Sequence, residues 1–262
     1  MSASPGSAHW RLVLTPAASG AENMALDEAL MERARDTGEW MLRVYSWRTP
    51  TISLGRNQTA RGRYDVDRIR ERGMDVVRRP TGGRAILHAR EITYSVTAPV
   101  AAAGDLRQSY ERINGLLAAA LARMGVDATM AAARQASTPG ISPCFDYPSA
   151  GELTVGGRKL AGSAQWRGDG ALLQHGSILV EDDQSTLADF TLGGGLPIPA
   201  PATLAAILGR TPAPRELMVA FGQAIRDRED QCATEIELDA YIRARTTELV
   251  VRYVDDAWTW RR

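Results

Sequence analysis

Residues 152–180 read ELTVGGRKLAGSAQWRGDGALLQHGSILV. Three β-prone runs, ELTV, RKLAGSAQWR and ALLQHGSILV, are separated by Gly-Gly and Gly-Asp-Gly, steps that supply the residues tight turns require. The spacing predicts a three-stranded antiparallel meander. Working outward, WRLVL (10–14), WMLRVYSW (40–47) and TISLG (51–55) read as strands, and ENMALDEALMERA (22–34) as a helix. Asp65 as an N-cap and Gly73 as a terminator frame a helix over 65–73, which sets DVVRRP (75–80) up as a strand; ITYSVTAP (92–99) is another. From Tyr110, Ile113, Leu116, Leu117, Ala120, Leu121 and Met124 recur at helical intervals. Residues 193–214 read as a connector, and two helical patterns, 214–228 and 235–252, close the chain. The class is α+β, with a mixed or antiparallel sheet flanked by helices.

Composition bounds the function. The 262 residues are 44% hydrophobic and 24% charged, ordinary for a globular protein. Lys+Arg and Asp+Glu are each 31, so no global charge draws the chain to nucleic acid or to an anionic membrane. The opening MSASPGSAHWRLVL lacks the basic and apolar regions of a signal peptide, and nothing later approaches the roughly 20 apolar residues of a membrane span, which predicts a cytoplasmic protein. The two cysteines, Cys144 and Cys232, show no metal-type spacing and are expected as thiols, Cys232 in a structural role within a helical segment. There is no GxxxxGK[ST], GxSxG, HExxH or GxGxxG, and His9, His88 and His175 are scattered, so no metal or cofactor is expected.

Two segments stand out. In RRPTGGRAILH (78–88) the Gly82-Gly83 pair lets backbone pass close to a ligand or a neighbouring strand, with Arg78, Arg79 and Arg84 beside it; a tight hairpin with solvated arginines fits the same spacing. In SPCFDYPSAGELTVGGRKLAGSAQWR (142–167), Cys144 sits on a loop and Lys159 on a strand fifteen residues later. A thiol titrates near about 8.5, and a neighbouring ammonium raises the thiolate fraction at neutral pH. A buried, inert cysteine is the alternative.

The segments ENMALDEAL (22–30), YSWRTPTISLGRNQ (45–58), RRPTGGRAILH (78–88), ELTVGGRKLAGSAQWR (152–167) and LLQHGSILV (172–180) occur in this order over about 160 residues. Together they resemble the lipoate-protein ligase and octanoyltransferase superfamily, which shares its fold with biotin protein ligases. The resemblance implies that fold over 1–262 as one catalytic domain with a helical part at about 214–262. It also implies an acyl slot beside the Gly-Gly segment and an essential lysine at Lys159. Cys144 stands where the cysteine-dependent octanoyltransferases carry their nucleophile, whereas ATP-dependent ligases resemble one another in an Arg-Asn-Asp style segment and a third glycine where this chain has Arg84.

The reaction so implied is transfer of an octanoyl group from octanoyl-acyl carrier protein to a lipoyl-domain protein such as the glycine cleavage H protein, through a thioester on Cys144 with Lys159 managing the proton. Arg79, Gly82, Gly83, Arg84, His88, Gly162 and Ser163 are the expected substrate-binding residues. Backbone N–H groups near Gly82, Gly83 or Gly162 are oxyanion candidates, each donor contributing about 2.7–4 kcal/mol where such groups have been removed. An acidic residue often follows the family's histidine, but Ala89 follows His88, so His88 is given no catalytic role. Arg78, Arg79, Arg84 and Arg90 form an expected docking patch on a monomer. An ATP-dependent ligase, an amidotransferase between lipoyl domains and a non-catalytic carrier-binding protein are the competing readings.

Overall fold

A computed structural model describes residues 8–131, 151–193 and 199–262. The chain lays down β1 (Trp10–Leu14), α1 (Gly20–Thr37), β2 (Trp40–Tyr45) and β3 (Thr51–Leu54). Next come α2 (Val66–Glu71), β4 (Asp75–Arg78), β5 (Ile86–His88), β6 (Glu91–Pro99), α3 (Leu106–Arg123) and β7 (Thr129–Met130). The expected meander is β8 (Leu153–Val155), β9 (Arg158–Gly168) and β10 (Ala171–Leu179). Its turns place Gly156 and Gly157 at φ 56° and 74°, and Asp169 and Gly170 at φ 52° and 80°. Two consecutive positive φ values match the right-handed strand twist in a two-residue hairpin loop, which is why Gly and Asp occupy these sites.

The last elements are α4 (Leu204–Leu208), α5 (Pro214–Arg228), β11 (Thr234–Glu235), α6 (Ala240–Tyr253) and α7 (Asp256–Thr259). Three boundaries correct the sequence reading. The connector at 193–214 contains α4, and α3 starts a turn early because Asp105 and Gln108 form a capping box. The helix expected from 235 begins at Ala240 behind the N-cap Asp239, because Thr234 and Glu235 join β1 as a parallel edge strand. Cys232, expected in a helix, is exposed in the turn before that strand.

Among the described residues the strands form two sheets, an eight-stranded one in the order β11-β1-β2-β6-β10-β9-β8-β7 and a three-stranded one in the order β4-β3-β5. The large sheet is mixed as expected: β11, β1 and β2 run parallel, and the pairs from β2–β6 onward are antiparallel. One face packs on α3, α4 and α5, where Leu42, Val44, Tyr94, Val96 and Leu172 meet Leu117 and Phe221 in a continuous apolar core. The other face packs on α1, which α6 covers in turn. The small sheet carries a separate apolar core around Ile52, Leu54, Ile69 and Leu87.

The small sheet was not foreseen, and it changes the meaning of the Gly-Gly segment. β4 and β5 lie on opposite sides of β3, so Gly82-Gly83 crosses the end of β3 and no hairpin forms there. Gly55 receives it: a Cβ on Gly55 would lie 1.9 Å from the Gly83 carbonyl oxygen. Gly83 itself has φ 94°.

Candidate active site

The polar residues of β6 and its neighbours explain why the α1 side of the sheet holds a site. Along β6, Ile92, Tyr94, Val96 and Ala98 enter the apolar core, while Thr93, Ser95 and Thr97 alternate with them and are equally buried. Buried polar groups need partners, and here α1 supplies many of them. Asn23 and Asp27, one helical turn apart, hold Arg43 on β2: its Nη2 donates to Asn23 Oδ1 at 2.6 Å and its Nη1 to Asp27 Oδ1 at 2.8 Å. Ser95 and Tyr45 also donate to the Asp27 carboxylate, at 2.7 and 3.0 Å. Burial pushes that carboxyl up, but Arg43, His175 and Ser95 outweigh it and hold it below the usual carboxylate value.

This network ends at the Gly-Gly segment. His175 on β10 sits with Nδ1 3.3 Å from Asp27 Oδ2 and Nε2 2.6 Å from Thr81 Oγ1. Burial lowers the imidazole's proton affinity, Asp27 opposes this, and Arg79 and His88 reinforce it, so the ring is held below its ordinary pKa. Arg79 splints the same loop to the small sheet: Nη1 donates to Ser53 O at 2.8 Å, and Nη2 to Gly82 O and Arg84 O at 2.8 and 2.7 Å.

A second chain runs through His88. Its Nδ1 lies 2.7 Å from Glu91 Oε1 and its Nε2 2.7 Å from Ser53 Oγ, while Trp47 stacks on the ring at 4.0 Å between centroids. Trp47, Thr93 and Ser177 also donate to Glu91 Oε1, at 3.1, 2.5 and 2.9 Å. Glu91, three residues after His88, is thus the carboxylate that holds its ring. With Arg79 Nη1 donating to Ser53 Oγ at 3.0 Å, the serine hydroxyl is positioned to donate to His88.

Between these networks lies a narrow cleft, with room for a water-sized sphere in only about 20 Å³. Met24, Ile86 and Ala164 give it apolar wall, and Trp47, His88 and His175 give it partly aromatic wall. Of the expected binding residues, Arg79, His88, Gly162 and Ser163 line it. Gly82, Gly83 and Arg84 do not; they form the loop that Arg79 holds. Lys159 lies three residues before Gly162 on β9, buried, with Nζ 2.8 and 2.9 Å from the two oxygens of Glu152. Cys144 lies outside the described residues.

Sequence reading missed Asn23, Asp27, Arg43, Ser53, Glu91 and His175 as site residues. The available signal was Asn23 and Asp27, polar residues one helical turn apart among the apolar positions Met24, Leu26 and Leu30. The expected docking patch is corrected in two of its members: Arg78 and Arg79 are 0% and 2% exposed and so cannot meet a partner's surface. Arg90 is exposed but paired with Glu181 at 2.7 Å. Among the described residues no helix is long and apolar enough to cross a membrane, and no cluster of three metal-ligating side chains occurs.

Comparison with known proteins agrees with this geometry. Residues 19–221 match the family described as lipoyl protein ligase A/B catalytic domain. The octanoyltransferase LipM of Symbiobacterium thermophilum is 45% identical over 182 residues, covering 67% of this chain and 66% of that protein. Its namesake in Staphylococcus aureus is 38% identical over 190 residues, 69% of each chain. The match thus spans about two thirds of the length of these curated relatives. The bipartite lipoate protein ligase of Thermoplasma acidophilum superposes with a TM-score of 0.73 over 97% of this chain and 96% of that one at 20% identity, a likeness of fold. With the matched family covering the cleft, both polar networks and the lysine strand, the chain belongs to the lipoyl protein ligase A/B catalytic domain family.

Proposed function

We propose that this chain is a protein N-octanoyltransferase, a single catalytic domain acting as a cytoplasmic monomer. It takes octanoyl groups from octanoyl-acyl carrier protein and delivers them to the lysine of a lipoyl-domain protein such as the glycine cleavage H protein. In the first half-reaction Cys144 gives its proton to Lys159, its thiolate attacks the donor thioester carbon, the carrier's sulfur leaves and takes that proton from Lys159, and octanoyl-Cys144 forms. In the second, the neutral amine of the target lysine attacks that carbon, Cys144 sulfur leaves, and the proton lost by nitrogen returns to it by way of Lys159. Thioester exchange is nearly balanced and amide formation is downhill, so the reaction needs no ATP. Each methylene withdrawn from water contributes only about 0.8 kcal/mol, so the depth of the cleft sets chain length sterically.

What carries this reading is the likeness to the two octanoyltransferases above, 45% and 38% identical, which agrees with Cys144 as nucleophile. Lys159, buried against Glu152 on the strand whose Gly162 and Ser163 line the cleft, fits a transferase and a ligase alike. A lysine amine held in place by a carboxylate is a group positioned to pass a proton to and from a reacting sulfur. Intact-mass measurement after incubation with octanoyl-acyl carrier protein tests it. An octanoyl adduct on the wild type that disappears in Cys144→Ser supports the transferase, and its absence from the wild type overturns it. AMP release from ATP and free octanoate that survives Cys144→Ala identifies a ligase. An adduct formed only from an octanoylated lipoyl domain identifies the amidotransferase, and carrier binding without adduct or turnover a non-catalytic protein.

A further inference from the structure

Arginines are partnered differently in two parts of this molecule. Around α1, α3, α5 and α6 they meet carboxylates: Arg11 with Glu39, Arg33 with Asp239, Arg245 with Glu32, Arg252 with Glu28 and Arg112 with Glu229. Around the small sheet, Arg70 pairs with Asp67 and Asp256, but several others meet backbone. Arg78 donates to the carbonyls of Gly55, Gln58 and Thr259 at 2.6, 2.8 and 2.8 Å, Arg61 to that of Trp260 at 2.5 Å, and Arg261 to that of Arg56 at 2.9 Å. A carbonyl satisfies an N–H but leaves the positive charge uncompensated. Among the described residues Arg56, Arg61, Arg63, Arg78 and Arg261 make no ion pair. The buried Arg78 Nη2 has no hydrogen-bond partner at all.

These guanidiniums cluster, with Arg78 buried beneath the others. Burial and the neighbouring charges of Arg261, Arg262 and Arg79 depress Arg78 to about 10, and Arg261 is lowered by burial and by Arg56 and Arg262. Two are fixed over indole rings, Arg56 over Trp166 at 4.7 Å and Arg261 over Trp258 at 3.7 Å. Trp166 stands two residues from Ala164 on β9, so Arg56 borders the cleft. Arg61, Arg63 and Arg262 are exposed beyond it. In a chain whose formal charge sums to zero, such segregation creates a local positive field.

We propose that Arg56, Arg61, Arg63, Arg261 and Arg262 form the docking surface for the acyl donor, a carrier protein with an acidic face that presents its thioester on a phosphodiester-linked arm. The assignment rests on the transferase reading above and names which partner uses this side of the cleft. The acceptor is the poorer match, because the group it brings into the site is a lysine side chain with no anionic arm for the guanidiniums to hold. The donor brings anionic charge both on its surface and on its arm.

The test compares two donors, octanoyl-acyl carrier protein and octanoyl-pantetheine, which lacks both the carrier and the phosphate. In the double variant Arg61→Glu/Arg63→Glu, kcat/KM for the carrier-bound donor is expected to fall by roughly tenfold or more at low ionic strength, with a shallower salt dependence. Octanoyl-pantetheine turnover stays within twofold, as do both donors in Arg107→Glu, a reversal on α3. An unchanged carrier rate, or an equal fall for both donors, overturns the docking surface and leaves the transferase standing. A wild type that accepts neither donor overturns the transferase, and this assignment with it.

Discussion

The two faces of the large sheet are equally buried and do opposite jobs. The face toward α3 and α5 is filled mostly by Leu42, Val44, Val96, Leu172 and Phe221, whose burial stabilises the fold without direction. One largely buried polar cluster, Tyr94, Asn114, Ser163 and Gln174, stands at its edge toward the cleft. The face toward α1 buries Arg43, Thr93, Ser95, His175 and Ser177, each held by a named hydrogen bond. A polar interior gains little net stability from each bond but is strongly destabilised when one is broken, so it tolerates very few alternative arrangements. The cleft lies on that second face. Its walls are therefore positioned by directional bonds, and the apolar face supplies the stability that makes such an interior tolerable.

The largest expected effect comes from breaking the polar face at its centre. Arg43→Ala leaves Asp27 buried without its cation and is expected to destabilise the protein by about 3–5 kcal/mol, read as a lower urea midpoint. Replacing both partners, Arg43→Met with Asp27→Leu, removes the stranded charge and should recover much of that loss in stability while activity stays low. If the double variant is as unstable as the single one, the cost belongs to packing and the contrast between the faces weakens.

On the apolar face, Leu117→Ala removes a fully buried side chain and is expected to cost about 2–5 kcal/mol. The sharper expectation is kinetic: at a temperature where the variant is folded, kcat/KM should match the wild type, because no bond to the cleft runs through Leu117. A matching loss of activity would show that both faces set the geometry of the site.

Gly176→Ala tests the boundary where the two faces meet. Its Cβ would lie 2.7 Å from Ser163 Oγ, 2.7 Å from Tyr94 Cε1 and 2.9 Å from Gly162 O, so β9 and β10 must shift at the cleft wall. The expected cost is about 1–3 kcal/mol, with KM for the acyl donor rising more than kcat falls.

How much of this was legible in sequence follows the range of the interactions involved. The meander was readable because its determinants are local: Gly156-Gly157 and Asp169-Gly170 dictate their own turns. The small sheet was not, because β3 takes a parallel partner from β4 and an antiparallel one from β5, pairings that no local pattern encodes. Arg79 and Lys159 stood out by their place in the sequence, while the expected roles of His88, Gly162 and Ser163 came through resemblance; of these five, Arg79, His88, Gly162 and Ser163 line the cleft. His175 was invisible, since its partners Asp27 and Thr81 are 148 and 94 residues away in the chain. Arg78 and Arg79 were placed in a docking patch because charge usually marks solvent; in this fold they serve as internal donors to backbone carbonyls.

The smallest effect, and the one most specific to the polar face, is in the pH dependence of stability. His175 has a folded-state pKa below its ordinary value of 6.5, chiefly through burial. As pH falls below about 6.5 the unfolded chain binds a proton at this residue before the folded one does, so its contribution to stability shrinks with falling pH until the folded pKa is reached. Asp27 acts lower on the scale: its folded pKa lies below 3.8, so its contribution is present above that value and is lost as pH falls through the folded pKa. Two stages of acid destabilisation should therefore appear in urea midpoints measured from pH 8 downward. His175→Gln, which can still reach Thr81 with an uncharged group, should flatten the first stage and leave the second in place. A wild-type slope between pH 7 and pH 5 that survives His175→Gln would mean that the imidazole is not the titrating group, and that Thr81 is held at the cleft by something other than a neutral histidine.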